Sequence, residues 1–89
     1  MLKPVRTHQF ERDFKKALRQ GKDMEQLKTI MAKLTAEVEL EVKHRDHKLT
    51  GNYKGRRECH IGPDWLLIYQ IENDRIIFER TGPHSELFK

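Results

Sequence analysis

The stretch that decides the fold is WLLIYQI, residues 65–71. Its apolar side chains fall on both faces of an extended chain, which is typical of a central strand covered on both sides. Turn sequences flank it, GPD at residues 62–64 and END at residues 72–74. The stretches beyond these turns, residues 57–61 and 75–81, are therefore predicted to be strands of the same antiparallel meander.

Two amphipathic helices are predicted ahead of this sheet. Thr7 is suited to cap the first helix and Gly21 to end it. Asp23 is suited to cap the second helix, so the pair forms a helical hairpin with a tight turn. Apolar residues recur at helical spacing in both segments: Phe10, Phe14, Ala17 and Leu18 in the first, and Met24, Leu27, Ile30, Met31 and Leu34 in the second.

The predicted elements make one α+β domain of residues 1–89. Residues 5–7 add a short strand at the start, so the order is strand, helix, helix, strand, strand, strand, followed by a short tail at residues 84–89. The two helices are expected to pack on one face of a small antiparallel sheet and to leave the other face open for binding. A chain of 89 residues builds only one core, so any active site must lie at the surface.

The composition indicates the cellular compartment of the protein. No window approaches the roughly 20 apolar residues of a membrane span, and the amino-terminal residues lack the apolar stretch of a secretory signal. The one cysteine, Cys59, has no partner for an internal disulfide, which fits a reducing compartment. We therefore expect a cytoplasmic protein without membrane contact.

Residues 43–57 concentrate the positive charge of the chain. This basic segment has a net charge of +5, because it holds six basic residues and one acidic residue, whereas the whole chain carries +4. A polyanion is therefore expected to be attracted to this region in particular. A solvated, flexible loop and a surface for an acidic protein partner are the alternatives. The basic residues are Lys43, Arg45, Lys48, Lys54, Arg56 and Arg57.

Three histidines could supply acid–base chemistry. His47 lies in the basic segment, His60 near the end of a predicted strand, and His84 just after the last strand. Histidine titrates near neutrality, so two of them can act as general base and general acid, as cleavage of RNA by its own 2′-hydroxyl requires. Taken singly, each histidine is more often a surface or structural residue than a catalyst. His44 and His47 are three residues apart, but the patterns of a zinc site are missing and no metal is predicted.

Other candidate residues also have a structural interpretation. Arg80 and the lysines of the basic segment could stabilise the charge of a phosphate in the transition state. Tyr53, Trp65 and Phe88 could stack on unpaired bases. However, Trp65 could equally belong to the core, and Asp64 is the kind of residue that a turn requires.

The three histidines, Asp64, Trp65, Arg80 and Phe88 fall within three sequence patterns: D-H-x-L-x-G at residues 46–51, R-x-x-H-x-x-P-D-W at 57–65 and R-x-G-x-H-x-x-L-F at 80–88. In this combination the sequence resembles the YafQ branch of the RelE/ParE superfamily of bacterial toxins along essentially its whole length. The resemblance implies the RelE-like fold, a toxin of a toxin–antitoxin pair, and cleavage of messenger RNA in the ribosomal A site. It further implies products with a 2′,3′-cyclic phosphate and a 5′-hydroxyl, and neither a metal nor another cofactor.

The resemblance assigns four catalytic residues. His47 and His84 are expected to be the general base and acid, with the order left open. His60 and Asp64 are expected to orient them or to share the proton transfer.

The resemblance also assigns residues that bind substrate. Lys54 and Arg80 are expected to hold phosphate, and Phe88 continues the family pattern at the end of the chain. Relatives carry tryptophan where this chain has Tyr53, a departure that bears only on stacking. The full substrate-binding set is Lys54, Arg56, Trp65, Arg80 and Phe88.

Three partners follow from the same resemblance: a cognate antitoxin of the DinJ type or similar, messenger RNA, and the ribosomal A site. An antitoxin with an acidic or amphipathic tail would cover the positive face. The free toxin is expected to be monomeric. Two other functions remain open at this point, inhibition of gyrase by binding, as on the ParE side of the superfamily, and non-catalytic binding of nucleic acid.

Overall fold

The computed structural model describes residues 1–88 and contains a five-stranded sheet with three α-helices. Lys89, the last residue of the predicted tail, lies outside the described residues. The elements are β1 (Lys3–Arg6), α1 (His8–Arg19), α2 (Met24–Thr35), β2 (His47–Lys48), β3 (Arg57–Gly62), β4 (Trp65–Glu72), β5 (Arg75–Gly82) and α3 (His84–Leu87), with 3-10 turns at Val42–His44 and Gly51–Tyr53.

The strands lie side by side in the order β1-β5-β4-β3-β2. Antiparallel pairing of β3 with β4 and of β4 with β5 confirms the predicted meander and puts β4 in the middle of the sheet. The prediction of a purely antiparallel sheet is wrong at one edge, because β1 pairs in parallel with β5. A parallel pair needs a long connection, and here that connection contains both long helices and the rest of the sheet. The α+β class is confirmed, with a mixed sheet.

The two long helices begin and end where the sequence predicted. The Thr7 side chain accepts a hydrogen bond from the backbone N–H of Phe10 at 3.0 Å, and Asp23 accepts one from Glu25 at 3.2 Å. Gly21 follows α1 in the left-handed conformation, with φ +75°, which glycine adopts without strain. All five predicted apolar residues of α2 are buried. No helix in the described part of the chain is long and apolar enough to cross a membrane.

The buried face of α1 differs from the prediction at two positions. Leu18 is 59% exposed, whereas Asp13 is buried. Asp13 accepts hydrogen bonds from the Arg80 guanidinium, at 2.8 and 3.3 Å, and from the backbone N–H of Thr81 at 3.1 Å. A buried carboxylate is tolerated when it is paired and hydrogen-bonded in this way. The interaction therefore fixes which side of α1 faces β5.

Apolar side chains pack on both faces of the sheet. The main core lies between the helices and the face that carries Leu67 and Tyr69. Leu66 and Ile68 alternate with these residues, so they point to the opposite face, where they pack with Leu87 of α3. The expectation of an open second face is therefore corrected, because this smaller cluster partly covers it. Its partly buried members are Leu49, Tyr53 and Phe88.

The basic segment is more ordered than the predicted loop. It contains both 3-10 turns and strand β2, in which His47 pairs with Glu58 and Lys48 with Arg57 of β3. A two-residue strand has no periodicity to detect in a sequence, and it exists here because β3 offers a free edge. This pairing brings the middle of the basic segment next to β3.

Candidate active site

His47 and His60 meet on one face of the sheet, on either side of Glu58. Glu58 and His60 are two positions apart on β3, so their side chains share a face, and His47 lies directly opposite Glu58 on β2. The Glu58 Oε1 atom is 3.5 Å from His47 Nε2 and 3.6 Å from His60 Nε2. The centroids of the two imidazole rings are 6.4 Å apart. Two of the three predicted histidines thus form a pair around one carboxylate.

Glu58 is a residue that the sequence analysis missed. Its side chain is only 7% exposed, although glutamate is rarely buried without a partner. Its spacing from His60 suggested a shared strand face, but the register that brings in His47 depends on β2. The carboxylate is therefore assigned to the site only from the three-dimensional structure.

Asp46 anchors the backbone beside His47. Its Oδ1 atom accepts a hydrogen bond from the Tyr69 hydroxyl at 2.5 Å and one from Arg57 Nε at 3.1 Å. Burial raises the pKa of Tyr69, and the hydrogen bond to Asp46 raises it further, so this hydroxyl stays protonated as a donor. Burial tends to lower the pKa of Arg57, but its interactions with Tyr69 and Asp46 outweigh burial and raise it. His47 itself has its Nδ1 atom 2.6 Å from the backbone carbonyl of Arg45.

Neighbouring groups also hold the end of β3. The Nδ1 atom of His44 lies 2.7 Å from the backbone carbonyl of His60, so His44 serves the backbone here. Cys59 is fully buried on the opposite face, and burial raises the pKa of its thiol, which makes it a poor nucleophile. Among residues 1–88, no three histidine, cysteine, aspartate or glutamate side chains are arranged to hold a metal ion.

His84 and Asp64 form a second group with Phe88. The Asp64 Oδ1 atom accepts a hydrogen bond from the backbone N–H of His84 at 3.0 Å, at the start of α3. The His84 ring lies 4.8 Å, centroid to centroid, from the ring of Phe88. Phe88 also meets the edge of Tyr53 at 5.3 Å, and the Tyr53 hydroxyl donates to the backbone carbonyl of Leu87 at 2.9 Å. Tyr53 therefore supports the segment that carries His84 and Phe88.

The two groups lie at the same end of the sheet. His60 is opposite Leu66 on β4, and Leu66 is opposite Gly82 on β5. Since adjacent strands are about 4.8 Å apart, the backbones at His60 and Gly82 are separated by roughly 10 Å. His84 follows Gly82 by two residues. His60 and His84 therefore belong to the same end of the sheet.

The predicted substrate-binding residues have different environments. Trp65 is 4% exposed, and its indole N–H donates to the Thr81 hydroxyl at 3.1 Å, so its ring belongs to the core. Arg80 is bound to Asp13, whose hydrogen bonds raise the pKa of the guanidinium. Arg56 is half-buried, with its Nε atom 3.0 Å from Glu79, whereas Lys54 is exposed. Lys54 and Arg56 line a concave surface that also contains Lys48 and Arg57.

Comparison with known proteins finds relatives that are similar to this chain in sequence and in fold. A family model described as the bacterial toxin YafQ of type II toxin–antitoxin systems matches residues 2–89. The mRNA interferase toxin YafQ of Escherichia coli strain K12 is 42% identical over 81 residues, which are 90% of this chain and 88% of that protein. The fold and the match to this family show the class of the protein: it is a bacterial toxin of a type II toxin–antitoxin system. Within that class, it belongs to the YafQ family.

Two solved structures agree with this assignment. The crystal structure of YafQ from E. coli strain BL21(DE3) is similar, with a TM-score of 0.95 at 37% identity and full coverage of both chains. A chain of the E. coli DinJ–YafQ complex has a TM-score of 0.91 at 38% identity, again with full coverage of both chains. The chain is thus similar to these relatives over its whole described length.

Proposed function

We propose that the protein is a messenger-RNA interferase that cuts its substrate through attack of a ribose 2′-hydroxyl on the adjacent phosphate. The observation that carries the proposal is the presence of three imidazoles and two carboxylates at one end of the sheet. This reaction needs one group that removes the 2′-proton and another that protonates the departing 5′-oxygen. The relatives named mRNA interferase support the choice of substrate.

The general base belongs to the His47–His60 pair and the general acid is His84. The pair faces the Glu58 carboxylate, which stabilises the imidazolium that forms when a ring takes up the 2′-proton. His84 lies on the other side, exposed and stacked near Phe88, where it can reach the leaving oxygen. Asp64 fixes the backbone from which His84 extends.

Phe88 and the basic segment hold the RNA. Phe88 offers a partly exposed aromatic ring for an unpaired base. Lys54 supplies positive charge to the backbone phosphates, and Arg56 and Arg80 add guanidinium groups whose charge is partly offset by Glu79 and Asp13. Trp65 supports the site from within the core.

The protein acts on the ribosome, in the A site, and therefore in the cytoplasm. Messenger RNA is single-stranded there and its bases are accessible, as recognition by stacking requires. The net charge of +5 in the basic segment suits contact with ribosomal phosphates. Binding on the ribosome aligns the substrate with the site, since positioning lowers the barrier to reaction.

A cognate antitoxin is the second partner. The E. coli DinJ–YafQ complex is the observation among relatives that supports it. Charge complementarity predicts that the antitoxin covers the basic segment with an acidic or amphipathic stretch. Co-expression of the small reading frame beside this gene is expected to restore growth, and failure of every adjacent small reading frame to do so would contradict the prediction.

Primer extension on a messenger in a purified translating system tests the proposed activity. The wild-type protein is expected to cut at codons that occupy the A site and to leave naked RNA intact. The double variant His47→Ala/His84→Ala is expected to leave the messenger whole, because base and acid are both lost. His8→Ala is the matched control, since His8 is an exposed histidine on α1 outside the site. If wild-type protein leaves the messenger intact and inhibits supercoiling by gyrase, the protein acts instead as a gyrase-inhibiting toxin.

A further inference from the structure

We propose that Glu58 is a positioning residue of the active site, which holds both His47 and His60 through a single carboxylate oxygen. The catalytic part of this inference rests on the proposed function. Its structural part, the coupling of one buried carboxylate to two imidazoles, can be measured without any RNA.

The burial of Glu58 is the first step of the argument. Its side chain is 7% exposed, and within residues 1–88 its only ion-pair partners are the two imidazoles, with no lysine or arginine in range. Removing a carboxylate from water is costly unless a partner compensates for the lost hydration. Among the described residues, the two histidines are therefore the side chains placed to provide that compensation.

The geometry around His47 is the second step. The Nδ1 atom faces the backbone carbonyl of Arg45 at 2.6 Å, and the Nε2 atom faces Glu58 at 3.5 Å. Both neighbours are hydrogen-bond acceptors; a neutral imidazole has one N–H and donates to only one of them, whereas an imidazolium donates to both. His60 is oriented from its Nε2 side by the same oxygen. One carboxylate oxygen therefore lies within ion-pair distance of both rings.

This arrangement has a catalytic consequence. When either ring takes the 2′-proton, a cation forms 3.5–3.6 Å from a buried carboxylate. The pair is then stabilised in a poorly hydrated site, where such attraction is stronger than in water. Glu58 does not touch the substrate. It acts through the histidines, as a buried aspartate does for the histidine of a catalytic triad.

A thermal double-mutant cycle tests the coupling directly. In the His47→Ala/His60→Ala protein, Glu58 has lost both ion-pair partners, so adding Glu58→Gln is expected to raise the Tm by a few degrees. In the wild-type background, the same Glu58→Gln change is expected not to raise the Tm. Equal changes in the two backgrounds would mean that no coupling exists and would overturn the proposal.

Nitrogen NMR of the imidazole rings provides a second readout that does not depend on the alanine variants folding. Glu58→Gln is expected to shift the 15N signals of both His47 and His60, while the backbone amide spectrum keeps its native dispersion. Glu72→Gln is the matched control, because Glu72 pairs with Arg75 at the far end of β4, and it is expected to leave both rings unchanged. Unchanged ring signals in Glu58→Gln would overturn the proposal.

Single-turnover cleavage on ribosomes tests the catalytic meaning. Glu58→Gln is expected to slow the cleavage step at saturating protein by about 10-fold or more, which is less than the 10²–10⁴-fold that a general base itself contributes. Its affinity for the ribosome is expected to be unchanged. A weaker affinity with an unchanged cleavage step would overturn the role. If wild-type protein cuts nothing, the proposed function fails, while the thermal cycle and the NMR spectra still decide whether Glu58 holds the histidines.

Discussion

Contacts with the backbone determine where the histidines lie. The carbonyl of Arg45 contacts the His47 ring, His44 contacts the carbonyl of His60, and Asp64 accepts the N–H of His84. The first contact orients the His47 ring, and the other two fix the backbone from which the His60 and His84 side chains extend. Pre-organisation of this kind lowers the barrier to reaction. Several polar residues around the site are therefore expected to act by placing the histidines.

Two substitutions of Asp64 distinguish positioning from proton transfer. Asp64→Asn keeps a side-chain oxygen that can accept from His84, and asparagine tolerates the left-handed backbone at this position, where φ is +48°. Asp64→Ala loses both properties. Since loss of a capping hydrogen bond costs about 1 kcal/mol, the alanine variant is expected to cleave about fivefold more slowly or worse. The asparagine variant is expected to stay near the wild-type rate, as measured by single-turnover cleavage. An asparagine variant as slow as the alanine variant would instead assign Asp64 to proton transfer.

At the scale of elements, α3 is the part of the site that depends most on its surroundings. It has four residues, too few for a helix to be stable alone. Tertiary contacts hold it, through Leu87 in the smaller apolar cluster and an ion pair between Lys16 and Glu86 at 2.6 Å. The Tyr53 hydroxyl adds a hydrogen bond to its last turn. The position of Phe88 therefore depends on the basic segment that contributes Tyr53.

Tyr53→Phe removes only the hydroxyl oxygen and therefore tests how much the Tyr53 hydrogen bond stabilises the end of α3. The ring that meets Phe88 is kept, and the hydrogen bond to the Leu87 carbonyl is lost. A hydrogen bond of this kind contributes about 1 kcal/mol. The amide of Phe88, which donates to the His84 carbonyl, is expected to exchange with solvent about fivefold faster. Hydrogen exchange followed by NMR measures this, with the amides of β4 as internal reference, and an unchanged rate at Phe88 would contradict it.

The elements that the sequence predicted are those with a local signal. Periodicity and caps located α1, α2 and the strands of the meander to within one or two residues. Strand β2 is too short to show a periodicity, and the parallel pairing of β1 depends on β5 near the other end of the chain, so no local pattern predicts them. The same limit applies to the site. The motifs indicated the histidines and Asp64, whereas Glu58 joins them only through the register of β2 with β3.

At the scale of the whole molecule, the polar interactions that cross the core link function to stability. Asp46 receives hydrogen bonds from Tyr69 on the central strand and from Arg57 on β3, and it directly precedes His47. Asp13 joins α1 to β5 through Arg80. Within the described residues, no buried side-chain nitrogen or oxygen atom lacks a hydrogen-bond partner. The core is therefore specified by these interactions as well as by apolar packing.

Alkaline unfolding is expected to reveal the Tyr69–Asp46 interaction. Burial and this hydrogen bond raise the pKa of Tyr69 in the folded protein above its ordinary value of about 10. This contribution to the free energy of unfolding is therefore complete below about pH 10. Above that pH only the unfolded chain loses the proton, so the free energy of unfolding falls by up to about 1.4 kcal/mol per pH unit. Tyr69→Phe is expected to be less stable at pH 7 and to lose less stability above pH 10. Urea unfolding from about pH 8 to 11 measures both slopes, and parallel curves would contradict the account.

The most direct test of the account is the chemistry of the RNA ends that the protein leaves on a messenger in the ribosomal A site. Attack by the 2′-hydroxyl with histidine acid–base catalysis predicts a 2′,3′-cyclic phosphate on the upstream fragment and a 5′-hydroxyl on the downstream fragment. The upstream end should resist ligation until the phosphate is removed, and the downstream end should accept a new phosphate from polynucleotide kinase without prior treatment. A 3′-hydroxyl paired with a 5′-phosphate would mean that water attacked the phosphate, and the assigned roles of His47, His60 and His84 would then be wrong.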